Sequence, residues 1–340
     1  MSNKTLIYIA GPTGVGKTKL SLEIAKLFNT DIISCDSRQF YKEMNIGTAV
    51  PSSEELKEVQ HHLIQHKSIY DKYTVGDFEK EALQILDFLF KKKDFVIMVG
   101  GSGMYADSLI FGLDSFPKVS SEIRNQIQFF YKTHGLKGLQ ELLLKKDPKY
   151  YTRVDIKNPT RLIRALEVCI ASEKPYSSFL EKEKKPRKFV SKMVILQRPR
   201  KDLYERINLR VDQMIEAGLI KEAQKLLPNK DLSPLKTVGY KELFTCFEGK
   251  KSFQNGSLEI KKNTRRYAKR QITWFKKYDD ALCFSANIEV FFKKQSIQIS
   301  IEKSSLLTQT LDIIQKSNSI FSFTTRCQSC PLFFLMIHPN

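Results

Sequence analysis

The sequence predicts an α/β fold, a parallel sheet covered by helices on both faces and interrupted by a helical insertion. Three observations predict it. Short apolar runs alternate with stretches of helical periodicity, as expected of strands buried on both faces. The first run, "TLIYIA" at 5–10, leads directly into the glycine-rich "GPTGVGKT" at 11–18. From about 116 to 189 the pattern turns helical, with little strand signal.

Residues 5–10 read as a buried strand and 17–28 as a helix, with Leu20, Ile24 and Leu27 at helical spacing. "DIIS" (31–34) is a second strand, ending at Cys35-Asp36-Ser37. "FVIMV" (95–99) is a third, ending at Gly100-Gly101-Ser102-Gly103. "MVILQ" (193–197) and "ALCFS" (281–285) supply a fourth and a fifth. In the insertion, "NPTRLIRALEVCIAS" (158–172) starts with Asn158 as N-cap and Pro159 at the first helical position. Leu162, Ala165, Leu166 and Cys169 then form its buried stripe. "EKEKKPRK" (181–188) is an exposed connector. Two more helices follow, over 202–227 and 258–278. The expected organisation is a core over 1–115, an insertion over 116–189, the rest of the core over 190–285, and a tail over 286–340 without clear pattern.

The chain carries 56 Lys and Arg against 37 Asp and Glu, a formal net charge of +19. Such a surplus points to a polyanionic partner, nucleic acid or an anionic membrane, or to a basic, solubilising surface. No apolar run approaches the roughly 18 residues that a membrane-spanning helix needs; "PLFFLMI" at 331–337 is too short. Six cysteines, at 35, 169, 246, 283, 327 and 330, form no framework of the secreted kind. The expectation is a cytoplasmic, monomeric protein in a reducing compartment, with no membrane.

The stretch 11–18 matches the Gly-x-x-x-x-Gly-Lys-Thr phosphate loop, with the required strand before it and helix after it. The core is therefore predicted to be P-loop NTPase-like. Gly11, Gly14 and Gly16 let the backbone around Pro12, Thr13 and Val15 turn its N–H groups toward oxyanions, helped by the helix N-terminus. Lys17 would reach the terminal phosphates and Thr18 would hold Mg²⁺. ATP is the commonest cargo of such a loop. Asp36 closes the second strand, where ligands bind in open parallel sheets. A carboxylate there serves as general base, metal ligand or helix cap. The third strand ends in Gly-Gly-Ser-Gly, without the acid that orders Mg²⁺ and water in common ATPases. That disfavours hydrolysis and leaves transfer to a second substrate.

Basic residues cluster. "IKKNTRRYAKRQITWFKK" holds eight Lys or Arg within 261–277 and no acid. Ile260, Thr264, Ala268, Ile272 and Phe275 fall on one helical face. Arg265, Arg266, Lys269 and Arg270 occupy the rest, suited to a nucleic-acid backbone or to solvent, and Trp274 is placed for the core or for stacking on a base. Arg161 and Arg164 share one helical face, suited to polynucleotide phosphates, and Arg206 and Arg210 share another, suited to the phosphates in the loop. His61, His62 and His66, and Cys327-x-x-Cys330 with His338, lack the partners of a metal site.

The collinear motifs "GPTGVGKT", "ISCDSRQFYKEMNIGTA", "HHLI", "VGGSGMY", "NPTRLIRALEV", "RINLRVDQMIEAGLIKEA", "KTVGYKEL" and "TRRYAKRQITWFKK" resemble those of the tRNA dimethylallyltransferases, also called tRNA isopentenyltransferases, over about residues 5–285. The resemblance implies transfer of a dimethylallyl group from dimethylallyl diphosphate to N6 of adenosine 37, beside the tRNA anticodon. It implies a phosphate loop that cradles diphosphate with Mg²⁺, Thr13 near the reacting carbon and Asp36 as general base. It also implies that Asp36, Ser37, Arg38, Gln39, Ser102, Arg124 and the segment Thr160, Arg161, Leu162, Ile163, Arg164 touch the anticodon stem-loop. A stacked adenine would have to be flipped out. Val50 stands where the family commonly has Lys, "IASEKPYS" lacks its usual Thr-Gly, and Ser102 replaces the common Thr. A small-molecule kinase and a basic RNA-binding module with a regulatory nucleotide site are the competing readings.

Overall fold

Every residue of the first strand, β1 (Thr5–Ala10), is buried, which requires cover on both faces of the sheet it joins. Residues 4–180 and 186–286 are described in the computed structural model. The expected tail, the Cys327-x-x-Cys330 pair and most of the 181–188 connector lie outside the described residues. The chain divides into two compact units, one holding residues up to Ile110 and from Arg187 onward, the other Phe111–Pro186.

In the first unit, β1 is followed by α1 (Lys17–Leu27), β2 (Ile32–Ser34), α2 (Ser53–Glu58), β3 (His61–His62), α3 (Val75–Leu89), β4 (Phe95–Val99) and α4 (Gly103–Phe111). The second unit contains α5 (Ser121–Lys146), α6 (Pro148–Tyr151) and α7 (Pro159–Ser172). The first unit resumes with β5 (Val190–Gln197), α8 (Arg200–Glu216), α9 (Leu219–Leu226), α10 (Tyr240–Phe247), α11 (Phe253–Phe275) and β6 (Leu282–Ser285). The six strands form one parallel sheet in the order β3-β2-β4-β1-β5-β6. From β1 the chain moves to one side for β2 and β4, then to the other for β5. The carboxyl end of β1 is thus a topological switch point, where open α/β sheets form their ligand crevice.

Alternation along β1 divides the core. Ile7 and Ile9 pack in one cluster with Ile24 of α1 and with Leu203 and Ile207 of α8. Tyr8 meets Phe275 of α11 edge-on, and its hydroxyl donates to the Gly100 carbonyl at 3.3 Å. The structure departs from the sequence reading in three places. The predicted 202–227 helix is two helices, because Gly218 adopts φ 104 and caps α9, a conformation that glycine takes without steric cost. His61 and His62 form a short strand beside β2, with His62 Nε2 2.8 Å from the Asp31 carboxylate. On α11 the buried stripe runs through Ile260, Ala268, Gln271 and Phe275, whereas Thr264 and Ile272 are half-exposed.

In the second unit α5 is broken at Gly135, and Ile127, Leu139 and Leu143 pack against Leu162, Ala165 and Leu166 of α7. Asn158 caps α7 by accepting the Arg161 N–H, with Pro159 in the first turn. The buried Asp147 carboxylate accepts from the Tyr150 N–H, the Ser177 N–H and the Ser177 hydroxyl, tying the end of α5 to the segment after α7. Leu162 is 0 % exposed, in the place on the buried stripe that helical spacing predicts. Leu162→Ala is expected to lower the stability of the protein by about 2–5 kcal/mol in chemical denaturation, and Leu162→Met by less than about 1.5 kcal/mol.

Candidate functional site

The phosphate loop joins β1 to α1 at the switch point. Lys17 folds over it, and its ammonium donates to the carbonyls of Gly11 (3.0 Å) and Pro12 (2.9 Å). The Val15 N–H donates to the Pro12 carbonyl, and the Val15 side chain is 0 % exposed in the core. Val15 therefore contributes to the loop as a packing anchor, with its side chain turned away from any ligand. Arg206, on α8, donates from Nε to the Gly14 carbonyl at 3.0 Å. Arg210, one turn further on, lines the same cavity. Burial pushes the Lys17 ammonium down to about 8, against the pull of the Asp36 carboxylate and with the push of Arg210. An anion in this cavity restores the charged form.

Asp36 follows β2. One of its oxygens accepts the Arg38 N–H at 3.0 Å, an Asx-type turn that leaves the rest of the carboxylate facing the crevice. Ser37 donates its N–H to the Ser102 hydroxyl at 3.0 Å, joining the turn after β2 to the turn after β4. Gln39 donates from Nε2 to the carbonyls of Thr48 and Ala49, so its amide holds a loop of the cavity wall.

Two cavities meet here. One, about 440 Å³, is lined by Gly14, Gly16, Lys17, Thr18, Ser34 and Arg206. The other, about 320 Å³, is lined by Ser37, Arg38, Ile207, Met214, Val238, Tyr267 and Arg270, a more apolar and aromatic set. Thr13, Asp36, Thr48, Ala49 and Arg210 line both. A loop hydroxyl and a carboxylate thus stand where the cavity beside the phosphate loop opens on a second cavity whose walls mix apolar side chains with the bases Arg38, Lys236, Lys241 and Arg270.

Several residues beyond the expected site residues also shape this junction. The Glu222 carboxylate, on α9, accepts N–H bonds from Asn45 (3.1 Å), Ile46 (2.8 Å) and Gly47 (2.9 Å) and the Tyr240 hydroxyl bond (2.7 Å). It holds the loop that continues into Thr48 and Ala49. Tyr267 bonds to Ser102, and burial and the nearby Asp36 charge push its phenol well above the ordinary value. Gln271 occupies the buried stripe of α11, where a polar side chain among apolar neighbours is the one signal visible in sequence.

The expected RNA-facing residues separate into groups. Arg266, Lys269 and Arg270 are exposed on α11 and line a shallow groove of about 570 Å³ with Thr273, Trp274 and Lys277. Lys277 lies 4.0 Å above the half-buried Trp274 ring. Arg265 turns the other way, bonding to Asn208 and stacking over Tyr204 of α8, which removes it from that groove. In the second unit Arg124, Thr160 and Arg161 are exposed, Ile163 packs partly against the core, and Arg164 lies over the Phe116 ring with Glu167 at 3.6 Å.

A family model described as IPP transferase matches residues 39–278. A tRNA dimethylallyltransferase of Flavobacterium psychrophilum is 54% identical over 285 residues, covering 82% of this chain and 93% of its own length. The chain belongs to the IPP transferase family. A second tRNA dimethylallyltransferase, from Christiangramia forsetii, is also 54% identical, over 82% of this chain and 91% of its own. The full-length tRNA isopentenylpyrophosphate transferase structure from Bacillus halodurans matches at 33% identity and TM-score 0.63, covering 93% of this chain and 99% of its own. The P-loop NTPase-like core expected from the sequence is the fold of this family.

Among the described residues no helix is long and apolar enough to cross a membrane, and no group of three His, Cys, Asp or Glu side chains could hold a metal ion. Mg²⁺ takes few protein ligands and relies on substrate phosphates and water; Thr18, the residue expected to hold it, lines the larger cavity with Asp36. The lowered Lys17 value gives a pH expectation. A bound diphosphate favours charged Lys17, whose population in the free protein falls as pH rises through about 8. The affinity for an alkyl diphosphate, measured by calorimetry, is expected to fall about tenfold per pH unit above that value, with proton uptake. Affinity unchanged across this range contradicts the reading.

Proposed function

We propose that this protein transfers a dimethylallyl group from dimethylallyl diphosphate to the N6 amine of adenosine 37 in tRNA, releasing diphosphate. The observation that carries the reading is the meeting of two unlike cavities at Thr13 and Asp36. Family membership and the names of the similar proteins support it.

In this mechanism the diphosphate occupies the larger cavity, held by the loop backbone, Lys17, Arg206 and Arg210. Thr18 would hold Mg²⁺ with the diphosphate, and the cation would supply charge neutralisation at the leaving oxygen. The adenine enters the smaller cavity flipped out of the anticodon loop, its faces against apolar and aromatic walls such as Met214 and Tyr267. The N6 lone pair attacks the first carbon of the dimethylallyl group as that carbon's bond to oxygen breaks, and the electron pair leaves with the diphosphate. Asp36 takes the proton that N6 sheds. Thr13 stands beside the reacting carbon. The exposed bases of α11 supply a sequence-independent grip on the RNA backbone; in the second unit, Arg124, Thr160 and Arg161 are the exposed residues suited to RNA phosphates.

Incubation with radiolabelled dimethylallyl diphosphate, Mg²⁺ and a tRNA bearing adenosines at 36 and 37 is expected to label the tRNA. Asp36→Asn is expected to lower kcat by about 10²–10⁴ while leaving tRNA affinity in place. Unlabelled tRNA together with transfer of the ATP γ-phosphate to a small acceptor overturns the proposal in favour of a kinase.

A further inference from the structure

Gln271 sits at the one point where the phosphate loop, the glycine turn after β4 and α11 meet. Its Oε1 accepts the Thr13 N–H at 2.9 Å, and its Nε2 donates to the Gly101 carbonyl at 2.9 Å. The side chain is 5 % exposed on the otherwise apolar stripe of α11. Neither partner can change its chemistry, because one is a backbone donor and the other a backbone acceptor. The bridge therefore demands a side chain that offers an acceptor and a donor together, which a carboxamide does at this length. A Cβ on residue 101 would come within 2.1 Å of Nε2, so the close approach also requires glycine there.

The consequence reaches the reacting groups. Lys17 and Arg206 hold the carbonyls of Gly11, Pro12 and Gly14, and Gln271 holds the N–H of Thr13 between them. With its N–H held by Gln271, Thr13 is fixed at the junction of the two cavities, beside Asp36. The neighbouring Arg270 lines the smaller cavity and the basic groove, so α11 presents its RNA-facing bases and holds the loop from adjacent residues.

We infer that Gln271 is a positioning residue for group transfer, acting through Thr13; this rests on the transfer reading above. Gln271 also lines the larger cavity, but both polar ends of its side chain are taken by main-chain partners, so its loss should slow the chemical step and spare tRNA binding.

The test compares unaltered protein, Gln271→Met, Gln271→Glu, Thr13→Ala and the Thr13→Ala/Gln271→Met double variant in steady-state transfer to tRNA, with thermal denaturation of each. Gln271→Met fills the space without either bond and is expected to lower kcat about 10- to 100-fold, with KM for tRNA within about twofold. Gln271→Glu keeps the shape and the Thr13 bond, and is expected to fall between Met and the unaltered protein. It carries the test if the Met variant does not fold. In the Thr13→Ala background, Gln271→Met is expected to cost less than about threefold, because the group it positions is gone. Full-rate transfer by Gln271→Met, or by Gln271→Glu where Met fails to fold, overturns the positioning role, as do fully multiplicative losses in the double variant. Absence of transfer by the unaltered protein overturns the underlying functional reading instead.

Discussion

The site depends on the pairing of β1 with β4 on one side and β5 on the other. Register fixes Thr5 through Ile9 against Phe95 through Val99, and Thr5 through Ala10 against Val190 through Ile195. Because β2 pairs in parallel with β4, three connections leave the sheet at the same edge: the phosphate loop, the Asp36 turn and the Gly100-Gly101 turn. A one-residue slip would send every inward side chain of β1 to the opposite face and carry the loop with it. Burial of both faces makes such a slip prohibitive, so the positions of Thr13 and Asp36 are fixed by a core that does no chemistry.

On that frame, backbone-directed side chains hold the loops. Gln39, Glu222 and Gln271 each bond main-chain groups of the cavity wall, and Ser102 ties the turns after β2 and β4 together. Positive charge is then concentrated where phosphates would bind: Lys17, Arg206 and Arg210 stand around one chamber, with burial and mutual repulsion already opposing the charged forms of Lys17 and Arg210. An anion relieves that opposition. Neighbouring Asp36 favours the charged state of both bases, so the carboxylate we propose as proton acceptor also helps keep the phosphate chamber cationic.

What the sequence made legible followed from continuous apolar runs and from motifs with local geometry. "TLIYIA" and "FVIMV" are strands because nothing else buries such short apolar runs on both faces. Asn158 and Pro159 mark the start of α7 because capping is a local interaction. The break at Gly218 was missed because the helical stripe continues on both sides of it, from Val211 to Leu219 and Ala223. The His61–His62 strand is too short to show periodicity. Glu222 and Gln271 lie within family-like motifs, but their roles were illegible for a different reason: their partners are backbone groups far away in the chain, and main-chain N–H and C=O groups leave no trace in residue identity. Leu162, by contrast, was legible as core for a local reason, since helical phase places its side chain on the buried stripe of α7.

In the proposed reaction, donor and acceptor approach the Thr13–Asp36 junction from two different chambers. A crystal structure of the protein with a thio-substituted dimethylallyl diphosphate that resists transfer, Mg²⁺ and an anticodon stem-loop tests it most directly. The account predicts the diphosphate against Lys17, Arg206 and Arg210, and an extruded adenine in the chamber lined by Met214 and Tyr267 with its N6 amine within hydrogen-bond reach of Asp36. A diphosphate bound away from Lys17, or an adenine that remains stacked in the RNA with Asp36 facing only solvent, would contradict it.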